Sequence, residues 1–432
     1  MLAAMSTAAL PPSSQATAVS RDRGDACPGS LRLHRADDGA LARVRLPGGV
    51  LTTAQAEALA DAAQRLGDGG LYLTSRGNVQ VRGLADGCGA ELAELLTAAG
   101  LLPSHGHERV RNIVASPLSG LDGHGLRDVR PWLTGLDALL CASETARELS
   151  GRFLFALDDG RGDVTGLDAD VTLRATADGG ALLALGPGDA AVRVTAGHAA
   201  RAALVAAETF LDAVRESGTR SWRVAELGLP EPGLTHRLRS RLTAAGIAHD
   251  GRARDGGTAD GPPPGIVGTA LSVHVPLGRL SPPQWRELVR IAPAELRLTP
   301  WRGIVVPVPG ASTDRLTDGL ARLTATGLVG DPASPWPRVG ACIGRPGCAK
   351  SHADVRLDAA RGLEAAGRSG LPLYWSGCER RCGHPRGDRI DVVAGPDGRY
   401  HLSTTDAAGR EPRSAVMDDP SRLAAALAAI TS

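Results

Sequence analysis

The chain has 432 residues, too many for one ordinary hydrophobic core, so two or more domains are expected. A formal net charge of +1 with 43% hydrophobic residues fits a globular protein and argues against a nucleic-acid or anionic-membrane partner held by bulk charge. Lys350 is the only lysine beside 47 arginines, so an arginine carries weight here only where a motif places it.

Residues 1–24 are rich in Ala, Ser, Thr and Pro and read as a disordered tail, with neither the basic start nor the apolar run of a signal peptide. No apolar run of about 18 residues exists, so a cytoplasmic protein without a membrane span is expected. Residues 25–103 form a first unit. In it Leu41–Leu46 alternates like a strand, and Thr53 caps a helix from Ala54 to Leu66 that stops at Gly67. Leu71–Arg76 is a strand turning at Gly77-Asn78, and Glu91–Ala99 is a short helix. Residues 104–248 hold the loop Val110-Arg-Asn-Ile-Val-Ala-Ser-Pro117, a strand over Arg152–Asp158, another over Val171–Arg174, and a helix over His198–Ser217. The Asp/Gly/Pro-rich stretch 249–265 reads as a linker.

Residues 266–330 repeat the first unit. Leu280-Ser-Pro-Pro-Gln284 mirrors Leu51-Thr-Thr-Ala-Gln55 at an offset of 229. Leu296-Arg-Leu-Thr-Pro-Trp-Arg302 mirrors Leu71–Arg76 and its turn at an offset of 225 at the strand start, and Arg302 reads as the repeat-related counterpart of Arg76. In residues 331–432, Val339-Gly-Ala-Cys-Ile-Gly-Arg-Pro346 follows Val110–Pro117 by 229, a register that sets Ile113 opposite Cys342 and Ser119 opposite Cys348. The strand Arg389–Val393, a turn at Pro396-Asp-Gly398, Tyr400–Leu402 and a helix over Pro420–Ile430 complete this copy. A duplicated α+β unit is implied, with cluster ligands in the second copy only.

Four of the seven cysteines lie in Cys342-x5-Cys348, then 29 residues, then Cys378-x3-Cys382. Each pair sits in a Gly/Pro-punctuated loop that can bend around an inorganic centre. Soft thiolates from two loops suit an iron–sulfur cube, one ligand per iron corner. Structural zinc prefers pairs about two to four residues apart, disulfides suit secreted chains, and scattered buried thiols are the remaining alternative. Cys27, in a Cys-Pro-Gly turn, reads as a structural thiol or an iron ligand; Cys88 and Cys141 read as core or surface residues.

With duplicated halves, a Thr-x-Arg strand end, an Arg-Asn loop and this cysteine spacing, the chain resembles the nitrite/sulfite reductase superfamily from about Cys27 to its C-terminus. The resemblance implies two ferredoxin-like half-modules (25–103 and 266–330) and two larger α+β lobes (104–248 and 331–432) about a pseudo-twofold axis. It implies a [4Fe-4S] cluster on Cys342, Cys348, Cys378 and Cys382. Within the superfamily the chain is most similar to the precorrin-3B synthase family. The residues that carry this are Ala26-Cys-Pro-Gly29, Val44-Arg-Leu-Pro-Gly48, Arg111–Gly120 and Phe155-Ala-Leu-Asp-Asp159. That family hydroxylates precorrin-3A with O2 and closes a lactone in aerobic cobalamin synthesis, and is described with a further mononuclear non-haem iron. Siroheme reductases carry Lys-Phe-Lys where this chain has Arg152-Phe153-Leu154, and the loss of one cation weakens the fit to a small oxyanion.

The same resemblance makes Arg76, Arg111, Asn112, Arg152 and Arg302 candidate substrate contacts, since planar guanidinium forks pair with the carboxylates that fringe a tetrapyrrole. Lys350 is a further candidate. Arg345, Arg380 and Arg381 lie in the cysteine loops, where they can offset cluster charge. No catalytic acid or base is designated. No His-x-Asp/Glu pair marks the iron, leaving His105, His107, His124 and His384 as weak candidates. No Gly-x-Gly-x-x-Gly follows a strand, so electrons should come from a separate reductase or ferredoxin. The alternatives are a siroheme-dependent sulfite or nitrite reductase and a non-catalytic electron carrier.

Overall fold

The repeat begins where two helix caps place it. In this computed structural model, which describes residues 25, 27–229, 233–254, 256–258, 260–385, 387–405 and 411–431, Thr52 and Gln55 form a reciprocal capping box at the head of the helix Thr53–Leu66. The Thr52 hydroxyl accepts the Gln55 amide and the Gln55 side chain accepts the Thr52 amide. The cap is therefore Thr52 rather than Thr53, because the extended residue before the first helical turn is the one whose side chain can reach back to it. In the second copy Gln284 likewise accepts the Ser281 amide at the head of Pro282–Ile291. The expected tail, residues 1–24, and Ala26 lie outside the described residues.

Each half-module completes its sheet with a strand from the other. The first sheet runs His34–Ala36, Gly39–Val44, Val79–Leu84, Leu71–Leu73 and then Arg279–Leu280 from the second half. The second runs Gly265–Val267, Ala270–His274, Gly303–Pro307, Glu295–Leu298 and then Val50–Thr52 from the first. Leu280 pairs with Leu71, and Leu51 with Leu296. These four leucines are buried in one core shared by both halves, and each full burial contributes about 1.5–3 kcal/mol. Trp285 crosses the same seam, its indole N–H donating to the Ala56 carbonyl at 2.8 Å. The exchange binds the halves around a single core, something the repeat alone did not announce.

The lobes share a plan of three parallel strands followed by antiparallel ones. In the first lobe Ile113–Ala115, Phe155–Asp158 and Val171–Ala175 are parallel, and Gly180–Leu185, Ala190–Thr195 and His249–Ala253 continue antiparallel. The stretch expected as linker thus begins as an edge strand. Its Asp/Gly-rich composition follows from exposure at the edge, where side chains pack against little. In the second lobe Val339–Ala341, Leu373–Ser376 and Arg389–Ala394 are parallel, followed by Tyr400–Thr405 and Ser414–Met417. Leu373–Ser376, between the two cysteine pairs, takes the place of Phe155–Asp158; the expected counterpart, Arg389–Val393, is the next strand along.

Hydrogen bonding also corrects the register between lobes. The Ser116 amide donates to the Leu157 carbonyl, one step past the pair Ala115–Leu157. The Cys342 amide donates to the Trp375 carbonyl, one step past Ala341–Trp375. Ser116, not Ile113, therefore stands where Cys342 stands. Ile113 is a core residue of the first lobe, and Ser119 caps a local turn through Arg127 and Val129.

Candidate active site

The second lobe's sheet delivers the cysteines. Cys342 follows the strand Val339–Ala341, and Cys378 lies two residues beyond Leu373–Ser376. The Gly377 amide donates to Cys342 Sγ at 3.2 Å, and Gly377 can carry no side chain because a Cβ there would collide with Ser351 Oγ. Burial pushes the Cys342 thiol above its ordinary value, and the nearby Cys382 and Cys378 sulfurs add to the rise. Cys348 sits in the same loop, its carbonyl taking the Ser351 amide at 3.0 Å. Tyr374 OH donates to the Cys382 carbonyl at 2.7 Å and pins the last ligand loop. Ser376 is fully buried with an unpartnered hydroxyl. An N–H already directed at Cys342, the Cys378 and Cys382 sulfurs near enough to act on that thiol, and the orphaned Ser376 hydroxyl suit a sulfide-rich cube. Among the described residues no three His, Cys, Asp or Glu side chains group as ligands of a single metal ion.

A second constellation joins the first half-module to the first lobe. Burial lowers the Arg43 guanidinium, takes Arg45 down to about 9, and takes Arg76 down to about 10, with Arg223 and Arg43 adding to the effect on Arg76. Arg43 Nε and Arg45 Nη1 are buried without hydrogen-bond partners. Arg223 is matched by Asp170 at 2.6 Å. No carboxylate among the described residues pairs with Arg43 or Arg76. Asp25, whose charge acts on Arg43, is occupied by Ser150 and the Gly151 and Cys27 amides. Cys27 lies among these groups, its thiol raised by burial and by Asp25. Uncompensated buried cations are costly, so this nest is built for an anion.

The remaining expected contacts fall elsewhere. Arg111 is buried and forks onto Asp137 with two 2.7 Å bonds, a third reaching the Leu101 carbonyl. Asn112 bonds Asn78 and the Phe153 carbonyl. Both tie the loop to its frame. Arg152 is exposed ahead of its strand, its guanidinium 4.8 Å from the Trp222 ring centre. Leu154 packs with Val114, Ala156 and Val164 against Trp301. Lys350 and Arg380 are exposed, and Arg381 pairs with Asp391 and Glu379. His107 bridges Ser104 and the Ser143 carbonyl, His105 meets Thr97, and His384 turns onto the Arg381 carbonyl.

Arg302 is not the counterpart of Arg76. The Gly77 amide donates to the Thr74 carbonyl and the Arg302 amide to that of Thr299, so Trp301 matches Arg76 and Arg302 matches Gly77. Arg43 and Arg45 escaped the sequence reading. The signal was two arginines at alternate positions of one strand, masked because nearly every basic residue here is arginine.

The nitrite/sulfite reductase ferredoxin-like half domain profile matches residues 33–99 and 267–323, the two halves that exchange strands. Over these two segments the chain is similar to the nitrite/sulfite reductase superfamily. It is 28% identical over 418 residues to a Sinorhizobium protein named precorrin-3B synthase, covering 94% of this chain and 88% of that one. It is 28% identical over 385 residues to a ferredoxin–nitrite reductase of Synechococcus elongatus, covering 80% and 74%. The NirA protein of Mycobacterium tuberculosis shares the fold at a TM-score of 0.68 and 18% identity, over 89% of this chain and 79% of that one. No helix among the described residues is long and apolar enough to cross a membrane.

Proposed function

We propose that this chain is a precorrin-3B synthase of the nitrite/sulfite reductase superfamily. It hydroxylates precorrin-3A with O2 and closes a lactone from an acetate side chain, using a [4Fe-4S] cluster held by Cys342, Cys348, Cys378 and Cys382. The observation that carries the reading is the nest of Arg43, Arg45 and Arg76, with buried N–H groups lacking partners, which suits the carboxylate fringe of a tetrapyrrole. The long alignment with a protein of that name supports it.

When bound, the cluster supplies single electrons that arrive from an external reductase or ferredoxin. One oxygen atom of O2 enters the macrocycle, and the other leaves as water with two electrons and two protons. The chain's own residues bind and orient. Arg43 and Arg76 hold carboxylates, and Arg45, fixed to the Gly151 carbonyl at 3.2 Å, offers its free Nη1 to the same fringe. Tyr374 and the Gly377 amide keep the sulfurs in place. Reconstituted protein given precorrin-3A, O2 and reductant should yield a product one oxygen heavier by mass spectrometry; unchanged substrate under these conditions refutes the assignment.

A second reading, a siroheme-dependent nitrite or sulfite reductase, is favoured by the similarity to nitrite reductases. Against it stands Leu154 at the second cation position, closed into an apolar cluster with Trp301. Strong visible siroheme bands in the purified protein would decide for this second reading.

A further inference from the structure

The turn Thr299–Gly303 stands between the lobes. Trp301 packs on the first lobe against Leu154, Ala156 and Val164. The next residue, Arg302, faces the second: its Nη1 lies 3.6 Å from where a Gly340 Cβ would stand, beside the Tyr374 ring. Arg302 has φ of 57°, in the left-handed region, where its counterpart Gly77 has 65°. An arginine in a glycine's place carries strain of about 1 kcal/mol or more, and strain of this kind gathers at functional sites. Among the described residues no hydrogen bond or ion pair engages its guanidinium.

His274 stands beside it at the end of the strand Ala270–His274 and is 94% buried, 6% of its surface being exposed. The ring hydrogen-bonds to the Trp301 backbone, and its Nε2 has no partner. Burial and the Arg302 charge hold the imidazole down to about 4, so it is neutral near pH 7 with a free lone pair. By the repeat offset of 229, His274 is the counterpart of Arg45, which also has a free nitrogen. The two half-modules thus present different chemistry at one related position: a cation in the first, a proton acceptor in the second.

We propose that Arg302 and His274 form a subsite for one carboxyl group of the bound macrocycle together with a proton, the C=O facing the guanidinium and the O–H facing Nε2. A guanidinium supplies only donors and a neutral Nε2 only an acceptor. A carboxylic acid is the tetrapyrrole side-chain group that satisfies both at once. Whichever side of the O–H···N bond holds the proton, site and ligand carry the same total charge. The nest of Arg43, Arg45 and Arg76 takes ionised carboxylates; this pair takes a protonated one, and so orients the ring between two unlike anchors.

The inference rests on the tetrapyrrole reading above, and the test separates the two. Reconstituted protein is titrated with uroporphyrin III, a tetrapyrrole fringed with carboxyl groups, followed by fluorescence anisotropy. Arg302→Gly restores the residue type that suits the backbone, so its melting temperature should equal or exceed that of the unaltered protein while affinity falls about tenfold. His274→Leu should weaken binding to a similar degree, and His274→Gln, which keeps an acceptor, should recover most of it. Unchanged affinity in Arg302→Gly, with saturable binding by the unaltered protein, overturns the subsite and leaves the tetrapyrrole reading standing. Absence of saturable binding by the unaltered protein overturns both.

Discussion

Arg111 offers the sharpest contrast between a frame arginine and a ligand arginine. Its side chain is 6% exposed and that of Asp137 22%. Two 2.7 Å bonds join them, and Nη1 adds the Leu101 carbonyl at 3.1 Å. Arg111→Ala strands the Asp137 carboxylate and the Leu101 carbonyl. Removing one partner of a buried pair costs about 3–5 kcal/mol. Asp137 keeps some contact with water, which sets the expectation at the lower end, about 3 kcal/mol. For a protein of 432 residues that is a fall in melting temperature of about 3 °C. Calorimetry reads the fall, and a uroporphyrin III titration well below the transition reads binding, which should stay within about twofold. Replacing both partners, Arg111→Met with Asp137→Leu, should recover most of the stability, because well-packed apolar pairs substitute for buried ion pairs. A melting point that hardly moves while affinity collapses would refute the reasoning and return Arg111 to the substrate.

Arg76→Ala should behave the opposite way: no loss of stability, since it removes an uncompensated cation beside Arg43 and Arg223, and about tenfold weaker tetrapyrrole binding in the same titration. Cys378→Ser should strip the cluster, and iron and sulfide retained at full stoichiometry would remove that residue from the ligand set. Gly377→Ala should give the same loss, because a Cβ there collides with Ser351 and displaces the amide that donates to Cys342; a normal cluster spectrum would show that the loop relaxes. Burial and the neighbouring Asp158 and Asp159 push the Asp163 carboxyl up to about 7, against the lowering pull of the Ser116 hydroxyl and Arg161. The folded state then holds a proton that the unfolded chain releases near pH 4, so stability is full below that pH and declines as pH rises through 7. Asp163→Asn should match the unaltered protein near pH 4 and exceed it by about 2–4 kcal/mol at pH 8; equal thermal stability at pH 8 would sink this assignment.

What was legible in the sequence was whatever repeats or spaces regularly. Leu51-Thr-Thr-Ala-Gln55 gave the first cap to within a residue, and its mirror Leu280-Ser-Pro-Pro-Gln284 marked where the second helix begins, because a capping box is local chemistry. The exchange of Val50–Thr52 for Arg279–Leu280 was hidden, since a short strand carries no mark of which sheet it will join. Strand Leu373–Ser376 was hidden by its own Gly/Pro-rich surroundings. The three-residue error between lobes has a simple cause. Loops of unequal length let an alignment slide until similar letters meet, whereas backbone hydrogen bonds cannot slide. Sequence also cannot say what a buried arginine faces: Arg111 and Arg76 look alike as letters, and only one has a carboxylate waiting for it.

With the register corrected, the two lobes explain each other. Ser116 and Asp158 of the first lobe stand where Cys342 and Ser376 stand in the second. The first lobe closes that end of its sheet with its own charges. Ser116 donates to Asp163 at 2.6 Å, Asp158 accepts the Gly160, Gly162 and Val164 amides, and Arg161 ties Asp159 to Asp122. Among the described residues of the second lobe the same end has no such network. It presents thiols, a buried hydroxyl without a partner at Ser376, and an amide pointing at sulfur. One backbone plan thus meets one requirement, satisfying the polar ends of three parallel strands, in two ways. The first lobe does it from within. The second leaves the Ser376 hydroxyl without a partner beside its thiols, as the proposed cluster would require, so the satisfied copy serves as the internal control for the other.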